Sequence, residues 1–185
     1  MNSRLFIGIN ISHLLKDVIK MTSSTIECEK KAIKWNTGTN LHITLSFLGN
    51  VNQSSITHII KKINSLYLVE PFNISIEKTG VFPNESYPKV YWLGIDEGKY
   101  YLEGLHNSLN KILYEYIPSK GQDIFVPHVT IGRSTSIINY KNLNIQNFLN
   151  TLYNPMSINV NSIGLYESKL QPEGPIYTLL ENFTL

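Results

Sequence analysis

The chain repeats itself, and that limits its possible folds more than any other feature of the sequence. Leu5-Phe6-Ile7-Gly8-Ile9-Asn10 resembles Tyr91-Trp92-Leu93-Gly94-Ile95-Asp96, with Gly94 standing 86 residues after Gly8. Leu41-His42-Ile43-Thr44-Leu45 resembles Pro127-His128-Val129-Thr130-Ile131, and His128 again stands 86 residues after His42. Farther along, Phe72-Asn73-Ile74-Ser75-Ile76 resembles Met156-Ser157-Ile158-Asn159-Val160, and Gly80-Val81-Phe82 matches Gly164-Leu165-Tyr166 at a shift of 84. Tyr91-Trp92-Leu93 also resembles Tyr177-Thr178-Leu179. Apolar strands look alike by chance, but several matches in order at nearly one shift point to a strand–helix–strand–helix–strand unit used twice. Two copies are too few for a solenoid. They suit one domain, residues 1–185, built from two repeats (about 4–88 and 89–185) around an approximate two-fold axis.

Periodicity assigns the elements. Leu5–Ile9, Leu41–Leu48, Phe72–Ile76, Val90–Ile95, Val126–Gly132, Met156–Tyr166 and Ile176–Leu180 read as strands from short apolar runs or alternation. Ile11, Leu14, Leu15, Val18, Ile19 and Ile26 fall at helical spacing, so a helix is expected over 11 to about 30. Ser54 is a candidate cap for a helix carrying Ile56, Ile59, Ile60 and Ile63. Leu102, Leu105, Leu109, Ile112 and Leu113 mark a helix that ends before Pro118, and 141–149 reads as a short one. Pro83–Pro88 and Gln171–Pro175 are turn-rich. About seven strands and four helices in mixed order argue an α+β fold.

Composition sets the outer bounds. The chain has 185 residues, 42% hydrophobic and 16% charged, with net charge +2. That is a globular composition, and a duplex-coating protein would carry a denser basic face. A mild positive excess fits a site for one phosphorylated end or small anion. The single cysteine, Cys28, excludes an internal disulfide, and its neighbours Glu27 and Glu29 disfavour a reactive thiolate. The first ten residues lack a signal pattern, and no run approaches the roughly 20 apolar residues of a membrane span. The expectation is a cytoplasmic protein with no membrane partner.

The repeat gives the two His-x-Thr segments their meaning. On a strand, residues two apart share a face, so His42 and Thr44 point together, as do His128 and Thr130. Equivalent residues near a two-fold axis face each other, so each repeat would aim one imidazole and one hydroxyl into a shared cleft. Imidazole titrates near neutrality, and a neutral and a protonated copy together form a general base and a general acid. The threonine hydroxyls suit non-bridging phosphate oxygens. Water can then attack phosphorus with no protein nucleophile. Neither motif has a carboxylate or cysteine at ligand spacing, so no metal is expected, and no phosphate-binding loop of the Gly-x-x-x-x-Gly-Lys type occurs. No cofactor is expected either. Arg133, three residues after Thr130, is either a phosphate ligand or a surface cation. Phe47, five residues after His42, should face away from it on a straight strand; it is either a core residue, the better default, or a ring at the strand end that stacks on a base. Tyr166 and Tyr87 have weaker claims on a cleft. His13, His58 and His106, in or near helices, read as ordinary surface or boundary residues.

The chain resembles the two-histidine phosphoesterases, and within them the bacterial and archaeal RNA 2′,3′-cyclic phosphodiesterases, historically called 2′-5′ RNA ligases. The resemblance lies in Arg4-Leu5-Phe6-Ile7, Leu41–Gly49, Pro127–Arg133, and Leu165-Tyr166-Glu167-Ser168 with Leu170 and Gly174-Pro175-Ile176-Tyr177. It implies a bilobal fold, with two pseudo-symmetric antiparallel sheets and outer helices around a central cleft. It implies metal-independent hydrolysis of an RNA terminal 2′,3′-cyclic phosphate to a 2′-phosphate, and a weak reverse joining of RNA ends. By motif, His42 would be the acid to O3′ and His128 the base for water, labels that the near-symmetry allows to exchange. Thr44, Thr130 and Arg133 would hold phosphate, and Phe47 would stack on the terminal base. The partners would be RNA 3′ ends or small cyclic nucleotides, bound by a monomer. Three rivals stand beside this: turnover of ADP-ribose 1″,2″-cyclic phosphate or 2′-5′ oligonucleotides, a non-catalytic RNA-end binding module, and a structural protein in which the motifs coincide.

Overall fold

Nine strands carry the apolar runs in a computed structural model, which describes residues 2–11, 15–36, 38, 40–66, 69–118, 124–172 and 174–185. The strands are β1 (Asn2–Asn10), β2 (Ile33–Trp35), β3 (His42–Asn52), β4 (Phe72–Phe82), β5 (Val90–Ile95), β6 (His128–Ser134), β7 (Met156–Val160), β8 (Ser162–Gln171) and β9 (Gly174–Thr184). The α-helices are α1 (Lys16–Ser23), α2 (Ile56–Asn64), α3 (Lys99–Ile112) and α4 (Gln146–Leu149). This is an α+β fold, as the mixed order of elements implies.

The strands form one curled antiparallel sheet in the order β7-β4-β5-β6-β3-β1-β8-β9, with β2 added to β6. Two separate sheets are therefore replaced by one continuous sheet, pinched at its middle. There β3 and β6 share a single registered pair, Ile43 opposite Val129, whereas β1 and β3 stay paired from Asn2–Asn52 to Asn10–His42. Ile43 and Val129 are both fully buried and point into the core with Leu45 and Ile131. Burying each such side chain contributes about 1.5–3 kcal/mol, so the opposite face of the same strands is held toward the cleft.

Several boundaries differ from the sequence reading, each for a local reason. Among the described residues, which leave out Leu14, the helix expected over 11 to about 30 is α1 alone, followed by turns. Ser23 Oγ donates to Lys20 O, Ser24 Oγ to Met21 O and Thr25 Oγ1 to Thr22 O, so hydroxyls compete for the carbonyls that would have carried the helix onward. The chain then forms β2, which is too short to alternate visibly. Asn52, not Ser54, is the cap: its side chain accepts from Ser54 N at the head of a 3₁₀ turn before α2. Strand β3 runs on past Gly49, and Met156–Tyr166 divides at Asn161 into β7 and β8. His13 and Glu173 lie outside the described residues. Among the described residues, no helix is long and apolar enough to cross a membrane.

Candidate active site

The pinch in the sheet creates the site. Antiparallel pairing of Ile43 with Val129 sets His42 across from Thr130 and Thr44 across from His128. The four side chains thus stand at the corners of a rectangle, with like residues on the diagonals. Diagonal partners in an antiparallel pair are about 7–8 Å apart, enough for one phosphorus centre between two imidazoles. All four line a cavity of about 360 Å³, together with Phe47 and Arg133.

Phe47 reaches the cavity because the strand is not straight. Ile7 pairs with Ser46 but Gly8 with Thr44, so Leu45 is an extra residue and parity changes beyond it. Leu45 and Ser46 both turn inward, and Phe47, 41% exposed, turns out into the cleft. The core role expected for Phe47 from parity is corrected by this bulge. β6 contains the same device: Tyr91 pairs with Gly132 and Trp92 with Thr130, leaving Ile131 extra and turning Arg133 to the cleft. Phe47 and Arg133 each stand five residues after their histidine.

Both imidazoles are tethered alike. His42 Nδ1 donates to Asn40 O at 2.6 Å, and His128 Nδ1 donates to Val126 O at 2.7 Å. A carbonyl can only accept, so Nδ1 carries hydrogen in each ring and Nε2 is the nitrogen available to a ligand. Aromatic rings fix the planes. Phe6 lies 4.8 Å from His42 and Tyr177 meets it edge-on at 5.0 Å. Phe82 meets His128 edge-on at 5.0 Å, with Trp92 at 6.1 Å. A Cβ at Gly80 would run into the Trp92 indole, so only glycine lets that ring lie flat over β4.

These surroundings set the charge. Burial pushes His42 below the ordinary imidazole value, and the fields of His128 and Arg133 add to it, against the pull of the Asn40 carbonyl. Burial likewise lowers His128, with Arg133 adding and the Val126 carbonyl opposing. Among the described residues, the cavity wall carries Arg4, Lys34 and Arg133 and no carboxylate. Such a site attracts anions, and an anion between the imidazoles favours their charged forms.

The sequence reading missed several wall residues. Arg4, quoted only within an opening motif, lies over the Phe47 ring at 5.1 Å. Lys34, Trp35 and Asn36 come from and just after β2. Ser168, Gly174, Pro175 and Tyr177 come from the β8–β9 hairpin, which Asn40 Nδ2 ties down by donating to Pro175 O at 2.6 Å. Ser168, Gly174, Pro175 and Tyr177 were legible as parts of a C-terminal signature, though given no role, but β2 gave no signal. Tyr166 lies beneath the wall, stacked on Phe6 at 5.2 Å, and Tyr87 packs on Tyr140. Cys28 is exposed, and partial burial with the Glu29 charge raises its thiol, so it is no better a nucleophile in the fold than in the sequence.

A curled antiparallel sheet that pairs two His-x-Thr strands across a cationic cleft defines a phosphoesterase of the two-histidine class. The chain belongs to the LigT-like phosphoesterase family, whose model matches residues 15–92 and 97–177. It is 32% identical to an RNA 2′,3′-cyclic phosphodiesterase of Methanothermobacter thermautotrophicus, covering 100% of both chains. It is also 32% identical to the protein of that name from Aquifex aeolicus, over 98% of this chain and 97% of the other. The fold matches the crystal structure of E. coli LigT complexed with 3′-AMP, with TM-score 0.76, 21% identity, and 100% and 99% of the two chains covered.

Proposed function

We propose that this chain hydrolyses the 2′,3′-cyclic phosphate at RNA ends and leaves a 2′-phosphate. One observation carries the reading: His42 and His128 are tethered alike through Nδ1, so each offers Nε2 to the same anion-attracting cavity. The end-to-end relatives named RNA 2′,3′-cyclic phosphodiesterase support the substrate class.

The diagonal arrangement suits in-line displacement. Water attacks phosphorus on the side opposite O3′, and His128 Nε2 takes its proton. The bond from water oxygen to phosphorus forms as the P–O3′ bond breaks. His42 Nε2–H delivers a proton to O3′, which leaves as a hydroxyl still held on the ribose. Solvent then returns a proton from His128 to His42. Thr44 and Thr130 donate to the non-bridging oxygens, and Arg133 balances their charge. Phe47 takes the terminal base against its free face, with Arg4 behind the ring. No metal enters the scheme. The same reading takes residues 1–185 as one domain of two related halves, about 4–88 and 89–185, acting as a monomer.

The test is an RNA oligonucleotide ending in a 2′,3′-cyclic phosphate, incubated in excess EDTA with product identification. A 2′-phosphate made by the wild type and not by His42→Ala or His128→Ala is the expected result. A 3′-phosphate would reverse the direction of opening. No product from RNA, with turnover of ADP-ribose 1″,2″-cyclic phosphate or 2′-5′ oligonucleotides, would move the substrate. Tight binding with no turnover on any of them would leave a binding module.

A further inference from the structure

Helix α3 lies behind β3, burying Leu102, Leu105 and Leu109, and at the edge of that face it carries His106 and Asn110 one turn apart. These two side chains grip the bulge. His106 Nδ1 donates to Leu45 O at 2.7 Å, Asn110 Nδ2 donates to His106 Nε2 at 3.1 Å, and Ser46 Oγ donates to Asn110 Oδ1 at 2.6 Å. Leu45 is the first of two extra residues that β3 carries against β1, and Ser46, 3% exposed, is its neighbour. The other face of the matter is Phe125. Its ring lies on the His106 imidazole with centroids 4.0 Å apart and planes 9° from parallel. Phe125 directly precedes Val126, whose carbonyl tethers His128.

We propose that His106 is a positioning residue that sets both motif strands at once; the inference rests on the hydrolytic reading of the cleft. Through the Leu45 carbonyl it fixes the bulge that turns Phe47 into the cavity. Through Phe125 it fixes the approach to Val126 and hence the plane of His128. The corresponding bulge in β6 needs no such side chain, because Ile131 O accepts the backbone N–H of Asn36 at 2.8 Å. Without His106 the Leu45 carbonyl would lose its partner, and bulges are kept where their main-chain groups are satisfied. His106 touches no substrate, so its effect travels through residues that do.

Two substitutions separate the arms. His106→Phe keeps a flat ring for Phe125 and loses both hydrogen bonds; His106→Asn keeps a donor near the Nδ1 position and loses the stack. On RNA ending in a 2′,3′-cyclic phosphate, His106→Phe should raise KM about tenfold with kcat within about threefold. His106→Asn should lower kcat about tenfold with KM little changed. Ser46→Ala and Phe125→Leu should reproduce the two phenotypes without touching His106, which covers a His106 variant that fails to fold. Kinetic constants within about twofold of wild type in folded variants, or a common loss that merely follows the drop in Tm, would overturn the inference. A wild type with no turnover would instead overturn the hydrolytic reading. In that case the ring-proton NMR resonances of Phe47 and His128 decide the positioning separately. They should move in His106→Phe and His106→Asn respectively, and resonances that stay in place would overturn it.

Discussion

The half of the site built on β3 and the half built on β6 use the same parts to different ends. Each has a His-x-Thr segment, a bulge three residues after the histidine, and an outward-turned side chain five residues after it. In the β3 half that side chain is Phe47, with Arg4 over it. In the β6 half it is Arg133. The partner strands also differ. A shift of 86 from the Ile7–Gly8 step leads to Leu93–Gly94, yet the β6 bulge lies opposite Tyr91 and Trp92, two residues earlier. A slip of two keeps every side chain on its face. It brings Trp92 beside Thr130, where an equivalent register would have brought Gly94. The lesson is that near-symmetry of the backbone leaves room for unlike side chains at matching places, an aromatic ring in one half and a guanidinium in the other.

The comparison can be broken first at its shared element. His42→Ala and His128→Ala should each lower kcat by about 10²–10⁴ with folded protein retained, since each removes one proton-transfer group. Replacing the substrate's O3′ by sulfur removes the need for an acid. That substrate should revive the His42 variant alone, and revival of the His128 variant instead would exchange the labels. Next come the unlike positions. Arg133→Ala should lower kcat/KM about 10- to 100-fold for every substrate, the measure of a charged hydrogen bond. Phe47→Ala should raise KM about tenfold and only for substrates bearing a base there. Equal effects on a base-free cyclic phosphate would erase the distinction. Smaller still, Thr44→Val and Thr130→Val should each lower kcat/KM about three- to tenfold, the measure of a neutral hydrogen bond.

The pH dependence has two readouts. Both imidazoles are held below their ordinary value, so the free enzyme's bell in kcat/KM should centre below about pH 6.5. Bound phosphate favours both charged forms, so the kcat profile should lie to the alkaline side. Stability carries the smallest effect. The unfolded chain takes up protons at these histidines before the folded one does, so stability present above about pH 6.5 is lost as pH falls toward the folded values. Tm should drop on acidification, less steeply in His42→Ala.

Much of this site was written in the sequence. The paired motifs named the four corner residues, because a period of two is robust on a strand whatever the tertiary fold. Helix α3 was legible from Leu102, Leu105 and Leu109. Parity alone favoured a core place for Phe47, and failed because a bulge is one residue of slip, encoded by nothing local: Leu45 and Ser46 look like ordinary strand residues, and what holds them inward is His106 and Asn110 from a helix some sixty positions later. The continuous sheet was hidden for a similar reason, since the join rests on one pair, Ile43 and Val129. Strand β2 escaped because its partner is Gly132–Ser134, far along the chain, and three residues cannot display a period.

That single join has a consequence for how such a site ages. Its dimensions come from the spacing of peptide groups across and along two strands, which exchanging one core aliphatic side chain for another leaves in place. Exchanging Ile43 for valine or Val129 for isoleucine changes how the core packs, yet the four corners stay at the separation that the sheet dictates. Mutational drift in the interior can therefore proceed without retuning the chemistry, and what selection must guard is the register.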